Sequence, residues 1–162
     1  ALTMEDVESH IRFCLEQIGQ IELAPQETKE IPVFYGGEYG PDLGWVAEQL
    51  RMTISQVVEL HCETVFTVAF FGFVPGFAYL EGWPAKHAVP RLDSPRLQVA
   101  AGSVGLAGVQ CGIYPKVSPG GWRLLGRTPL ALVDPQSATF SPFALGMKLR
   151  FYPANPQSWA KR

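Results

Sequence analysis

Three phrases, FGFVPGFAYL (71–80), AGSVGLAGVQCGIYP (101–115) and SPGGWRLLGRTP (118–129), repeat glycine, proline and aromatic residues too tightly for a solvated loop. Residues 72–129 hold ten of the 16 glycines and seven of the 14 prolines, yet short apolar runs such as 98–101 and 130–133 lie within or beside them. Glycine permits positive φ and close backbone approach, whereas proline fixes φ and removes a donor. The pattern predicts short strands joined by rigid turns that shape a pocket or docking face.

β-Branched and aromatic content extends this reading on both sides. Strands are expected at 64–71, 97–100, 103–106, 110–113, 122–125, 130–133 and 148–152, with IPVFYGG (31–37) as an earlier strand entering a glycine turn. Strands this short and this closely spaced imply an antiparallel barrel or sandwich. Helices come first. Met4, Val7, Ile11, Cys14, Leu15 and Ile18 recur at helical spacing behind Thr3, which predicts an amphipathic helix over 4–19. A polar linker (22–30) follows, then a short helix after Asp42 and another after Thr53, where Gln56 completes a capping-box spacing. The chain opens on Ala1 with a helix almost at once, so a trimmed or processed form of a longer protein is expected, with the missing part upstream.

A chain of 162 residues with 47% hydrophobic and 17% charged content suits one globular domain, able to bury roughly 70% of its unfolded surface. No apolar run approaches the length of about 20 residues that a membrane helix needs, and no signal core follows a basic start, so the expected compartment is the cytoplasm, with no membrane partner. Cys14, Cys62 and Cys111 have no CxxC spacing and read as small buried thiols, not as a zinc site or disulfide frame. The net charge of −2 hides a division: residues 1–63 carry 12 acidic against three basic side chains, and residues 64–162 carry ten basic against three acidic. The basic half favours a carboxylate, a phosphate or an acidic surface near Lys86, Arg91, Arg96, Lys116, Arg123 and Arg127. Without a basic run or a binding module, nucleic acid is not expected.

Several motifs are weighed and set aside. GMKL (146–149) is similar to the surroundings of a biotinyl lysine, but Leu145, Met147, Leu149 and Phe151 alternate as in a strand, so Lys148 is read as a strand residue. AGSVG (101–105) lacks the helix that follows a nucleophile elbow, which makes Ser103 a turn serine in preference to a hydrolase nucleophile. The glycines at 102, 105, 108 and 112 form neither GxGxxG nor a phosphate loop, so no complete nucleotide site is expected. His61, near the end of its helix, is a catalytic candidate with capping or packing as the alternative. Arg91 and Arg127 are the better anion-binding candidates, Arg127 because it sits between Gly126 and Thr128 in a turn-rich phrase.

In this order, PVFYGGEYGPDL (32–43), LH (60–61), GFVPGFAYL, PR (90–91), AGSVGLAGVQCGIYP, SPGGWRLLGRTP and DP (134–135) resemble one family. It includes allophanate hydrolase subunit 1, a sporulation histidine-kinase inhibitor and the B subunit of bacterial 5-oxoprolinase, the last being the nearest likeness. The resemblance implies a mainly β, cyclophilin-like antiparallel barrel with short helices over 30–162, and makes 1–29 the remaining helix and linker of an N-terminal α/β lobe. Two departures stand out: Ala100 replaces a common proline, and Val109 and Cys111 replace the second glycine and the threonine of GGQTGIYP. The threonine hydroxyl is thereby lost. A cyclophilin-like barrel does not imply prolyl isomerase activity.

The commonest role in that family implies a subunit of an ATP-dependent 5-oxoprolinase, a cyclic amide hydrolase that opens 5-oxoproline to glutamate with subunits A and C. No cofactor is then expected on this chain alone, and ATP is expected in the complex. On the matching motifs, Arg91 and Arg127 would hold the substrate carboxylate or phosphate, and Gln110 and Tyr114 would bond the ring amide. Phe73, Pro75, Phe77 and Trp122 would form an apolar wall, with Ser103 and Thr128 as further substrate or partner contacts. For each aromatic, core packing is the alternative. The same resemblance leaves open a binding module that inhibits a histidine kinase, and a carboxyltransferase lobe of a urea carboxylase or allophanate hydrolase system.

Overall fold

The computed structural model of the protein describes residues 3–17, 27–134, 136 and 140–159. Seven strands close a barrel: Lys29–Tyr35 (β1), Phe66–Phe71 (β2), Ala78–Glu81 (β3), Ser103–Ala107 (β5), Gln110–Ile113 (β6), Arg123–Arg127 (β8) and Lys148–Pro153 (β9). Their order is β1-β8-β5-β6-β3-β2-β9, and the circle closes through a parallel pairing of β1 with β9, Ile31 opposite Phe151. The other neighbouring pairs are antiparallel. The expected mainly β, cyclophilin-like barrel is therefore what forms. Arg96–Val99 (β4) and Ser118–Gly120 (β7) make a separate two-stranded ribbon.

Alternation along each strand creates two apolar layers. Ile31, Val33, Phe66, Leu80, Val104, Leu106, Cys111, Leu125 and Leu149 are sealed inside the barrel. Residues of opposite parity on the same strands, together with Phe77, Val99, Tyr114 and Trp122, form a second, smaller cluster that includes Ala107 and Leu124. Val99 belongs to β4 and Trp122 follows β7, so the ribbon and its flank cover this outer face. Burial on both faces explains why β5 is buried along its whole length.

Two helices pack on each other and on the barrel, Leu43–Leu50 (α2) against β8 and Ile54–Glu63 (α3) against β9. The capping box at α3 forms: the Gln56 backbone N–H donates to Thr53 Oγ1 at 3.2 Å, and the Thr53 N–H donates to Gln56 Oε1 at 2.8 Å. Asp42 precedes α2 as expected, but its carboxylate does not cap the helix and is used elsewhere. The first helix, Met4–Gln17 (α1), follows Thr3, and Met4, Val7, Ile11 and Phe13 on it are exposed. Positions 18 and 19 of the expected helix, 22–26 of the expected linker, and Pro135 lie outside the described residues. A four-residue helix, Pro156–Trp159 (α4), follows β9.

One expected strand is absent. Residues 130–133 are irregular, although Leu132 is buried in the core. In a closed barrel both edges of every strand are taken, so an apolar run after Pro129 has no barrel edge left to join. No helix among the described residues is long and apolar enough to cross a membrane.

Candidate functional site

The outer layer encloses an aromatic cup of about 180 Å³, lined by Phe73, Phe77, Tyr79, Arg91, Tyr114, Trp122 and the backbone of Gly120 and Gly121. Strand alternation explains its walls. Leu80 faces the barrel interior, so Tyr79 faces out, and Phe77 just before β3 joins it. The rings meet edge to face: Phe77 lies 5.2 Å from Tyr114 and 5.5 Å from Trp122, and Tyr79 lies 5.6 Å from Trp122, between centroids. Such packing needs a smooth floor. A Cβ on Gly112 would stand 2.7 Å from Phe77 and 2.9 Å from Trp122, so glycine in β6 lets both rings lie against the strand.

Phe73 guards the mouth. It is a non-glycine residue at φ +63°, 58% exposed, with its ring 5.5 Å from Phe77 and 6.4 Å from Tyr114. A bulky side chain in the left-handed region is strained, and such strain collects where a ligand or partner is engaged. The turn beneath it closes through Phe77 N–H to Val74 O at 3.0 Å, and Gly76 takes φ +84°.

Arg91 supplies the charge. Its guanidinium stands 5.9 Å from the Trp122 ring centroid, and the side chain is otherwise exposed. Burial pushes the Tyr114 phenol up from its ordinary pKa, opposed by a backbone hydrogen bond from Trp122 and by the Arg91 guanidinium. Tyr114 is therefore a neutral phenol at physiological pH, offering a donor and an acceptor. Aromatic faces, one guanidinium and one phenol can stack on a small planar ring, pair with its anionic group and hydrogen-bond its polar edge.

Of the residues singled out in the sequence, Phe73, Phe77, Arg91, Tyr114 and Trp122 converge on this cup. The others do not. Pro75 is exposed in the turn and does not line it. Gln110 opens β6 and lines a separate depression with Trp83 and Val109, whereas Tyr114 lies past the other end of that strand. At about 3.3 Å per residue the two cannot serve one small ring together. Arg127 and Thr128 line a shallow depression with Pro115 and Val133; the Thr128 hydroxyl accepts from Leu130 N–H at 3.3 Å. Arg127 and Ser103 also border a third depression with Arg96.

His61 is in the barrel core. It is fully buried, stacked on Phe151 at 4.5 Å, with Nδ1 2.7 Å from the Tyr35 hydroxyl and Nε2 3.5 Å from Cys111 Sγ. Burial lowers its pKa to about 3 and pushes the Cys111 thiol and the Tyr35 phenol up. The group stays neutral and acts in packing. Cys62 and Cys111 are free thiols, Cys111 buried and Cys62 half-buried; the Cys14 side chain lies outside what is described.

Sequence reasoning missed Tyr79 and gave Arg96 no individual role. Tyr79 was legible, since it alternates with the core residues Ala78 and Leu80. Arg96 was visible only as one of several basic residues, because its partner Asp42 is 54 positions away.

The family described as "Carboxyltransferase domain, subdomain C and D" matches residues 1–143. The chain is 44% identical over 132 residues to the B subunit of 5-oxoprolinase from Bacillus subtilis (strain 168), covering 82% of this chain and 55% of that protein. To the corresponding 5-oxoprolinase B subunit of Escherichia coli O157:H7 it is 50% identical over 126 residues, 76% of this chain and 57% of that protein. The chain thus spans little more than half the length of the curated relatives it matches. Among solved structures it is similar to a conserved uncharacterized protein from Pyrococcus horikoshii, with TM-score 0.78 and 42% identity, covering 97% of this chain and 72% of that one. It shares its fold with Kluyveromyces lactis urea carboxylase at TM-score 0.72 and 16% identity, covering 96% of this chain and 17% of that one.

Proposed function

Because the chain belongs to the carboxyltransferase domain, subdomain C and D, family, we propose that it serves as a subunit of a 5-oxoprolinase, holding 5-oxoproline in the aromatic cup. The relatives that carry the name of a 5-oxoprolinase B subunit support the system. The observation that carries the substrate assignment is the cup itself: about 180 Å³, walled by aromatic rings, with Arg91 at its edge. That volume suits a ligand smaller than a drug-sized molecule. A five-membered lactam offers a flat face for Trp122 or Phe77, a carboxylate for Arg91, and an amide edge for the Tyr114 hydroxyl.

An unstrained lactam is a poor electrophile, and ATP would supply the phosphorylation that makes its carbonyl carbon attackable by water. We assign ATP to the assembled complex with subunits A and C. Gly102, Gly105, Gly108 and Gly112 lie in or beside β5 and β6 of the barrel wall, not in a loop opening onto a helix N-terminus that would cradle phosphates. The role of this chain is to bind and orient the ring and to keep water from its apolar face. Combining the chain with subunits A and C should yield 5-oxoproline-dependent ATP hydrolysis that the chain alone does not show. Turnover by the isolated chain, or a complex as active without it, would contradict the reading.

A further inference from the structure

We propose that the depression between Arg96 and Arg127 is a second site that takes an oxyanion, either phosphate or carboxylate. It encloses about 210 Å³ and is bordered by Tyr39, Ser103, Gln98 and Glu38 besides the two arginines. Arg96 comes from β4 on the ribbon and Arg127 ends β8 of the barrel, so two separately anchored arginine side chains line one space.

Each arginine retains unused donors. Arg96 gives Nη2 to Asp42 at 2.8 Å and keeps its side chain 29% exposed beside the depression, while its Nη1 is buried away from solvent with no hydrogen-bond partner among the described residues. Arg127 stacks its guanidinium on the Tyr39 ring at 4.7 Å and makes no ion pair with a described carboxylate. Stacking occupies the face of the guanidinium and leaves its in-plane N–H fork for a carboxylate or phosphate. Glu38 is exposed at the rim and opposes the ligand's charge, which makes it the group whose neutralisation strengthens binding. The site stands whether or not the cup holds 5-oxoproline, since Arg91 and Trp122 do not border it.

The test is a titration of the 162-residue chain with sodium phosphate, sodium acetate or sodium chloride at matched ionic strength, following the side-chain Nε–H signals of its arginines by NMR. Phosphate or acetate should move the Arg96 and Arg127 signals saturably while chloride does not, and the anion that saturates at lower concentration identifies the natural group. Arg127→Gln should weaken binding at least about tenfold, as loss of a charge-assisted contact requires. Arg91→Gln should leave it unchanged, and Glu38→Gln should tighten it. Backbone amide spectra of each variant report that the barrel is intact. An equal response to chloride, or undiminished affinity in a folded Arg127→Gln chain, would overturn the assignment.

Discussion

The Arg96 guanidinium and the Asp42 carboxylate meet at 2.8 Å between Nη2 and Oδ1, joining the ribbon to the start of α2. The second Asp42 oxygen accepts from the Leu124 backbone N–H at 2.7 Å. One carboxylate, 9% exposed at its side chain, thereby ties together ribbon, helix and barrel strand. It also fixes β4, whose partner β7 leads directly into Gly121 and Trp122 of the cup.

Asp42→Ala should therefore destabilise the fold by roughly 1.5 to 3 kcal/mol, the range for hydrogen bonds to charged groups. Chemical denaturation of Asp42→Ala, Arg96→Met and the double variant measures the coupling. The double variant should lose less than the sum of the singles, because each single strands the other partner. Simple additivity would mean that the pair does not hold the ribbon.

His61 makes stability depend on acid. Its pKa is lowered from 6.5 to about 3 by burial, so between those values the unfolded chain binds a proton that the folded chain excludes. Its contribution is complete above the unfolded pKa and declines as pH falls from 6.5 toward 3, by up to about 1.4 kcal/mol per pH unit. Thermal melts at pH 7 and pH 5 should show the wild-type chain losing stability, and His61→Leu, less stable at pH 7, should have a shallower slope. Parallel slopes would place the acid sensitivity on another group.

Gly112→Ala should disturb the cup more than the barrel. The added Cβ would stand 2.7 Å from Phe77 and 2.9 Å from Trp122, which forces both rings off the strand. Overpacking of this kind costs about 1 to 3 kcal/mol. Near-ultraviolet circular dichroism of the aromatic rings should change while the far-ultraviolet strand signal persists. An unchanged aromatic spectrum would mean that the rings have room to spare.

Most of the barrel could be read from residue order, and the exceptions have physical causes. Thr53 and Gln56 announced α3 because a capping box is local chemistry. β6 was expected over the residues it occupies, since Gln110 to Ile113 lies between Gly108 and Pro115. β3 was hidden inside the FGFVPGFAYL phrase, whose turn residues mask four strand positions. β7 has the sequence Ser-Pro-Gly and no strand propensity; pairing with β4 alone makes it a strand. In the site, the aromatics were legible by type, but not their division: Gln110 stands at the opposite end of β6 from Tyr114, and Arg127 lines other depressions than the cup. The unused nitrogen of Arg96 depends on contacts no local pattern carries.

Arg91 and the aromatic cup are proposed to bind 5-oxoproline. The most direct test is kcat/KM for 5-oxoproline in the complex reconstituted with subunits A and C, comparing wild-type chain with Arg91→Gln. Arg91 is exposed, so melting should not change. Loss of a charge-assisted contact to the substrate carboxylate should lower kcat/KM roughly 10- to 100-fold. An unchanged kcat/KM in the Arg91→Gln complex would contradict the claim and move the substrate out of the cup.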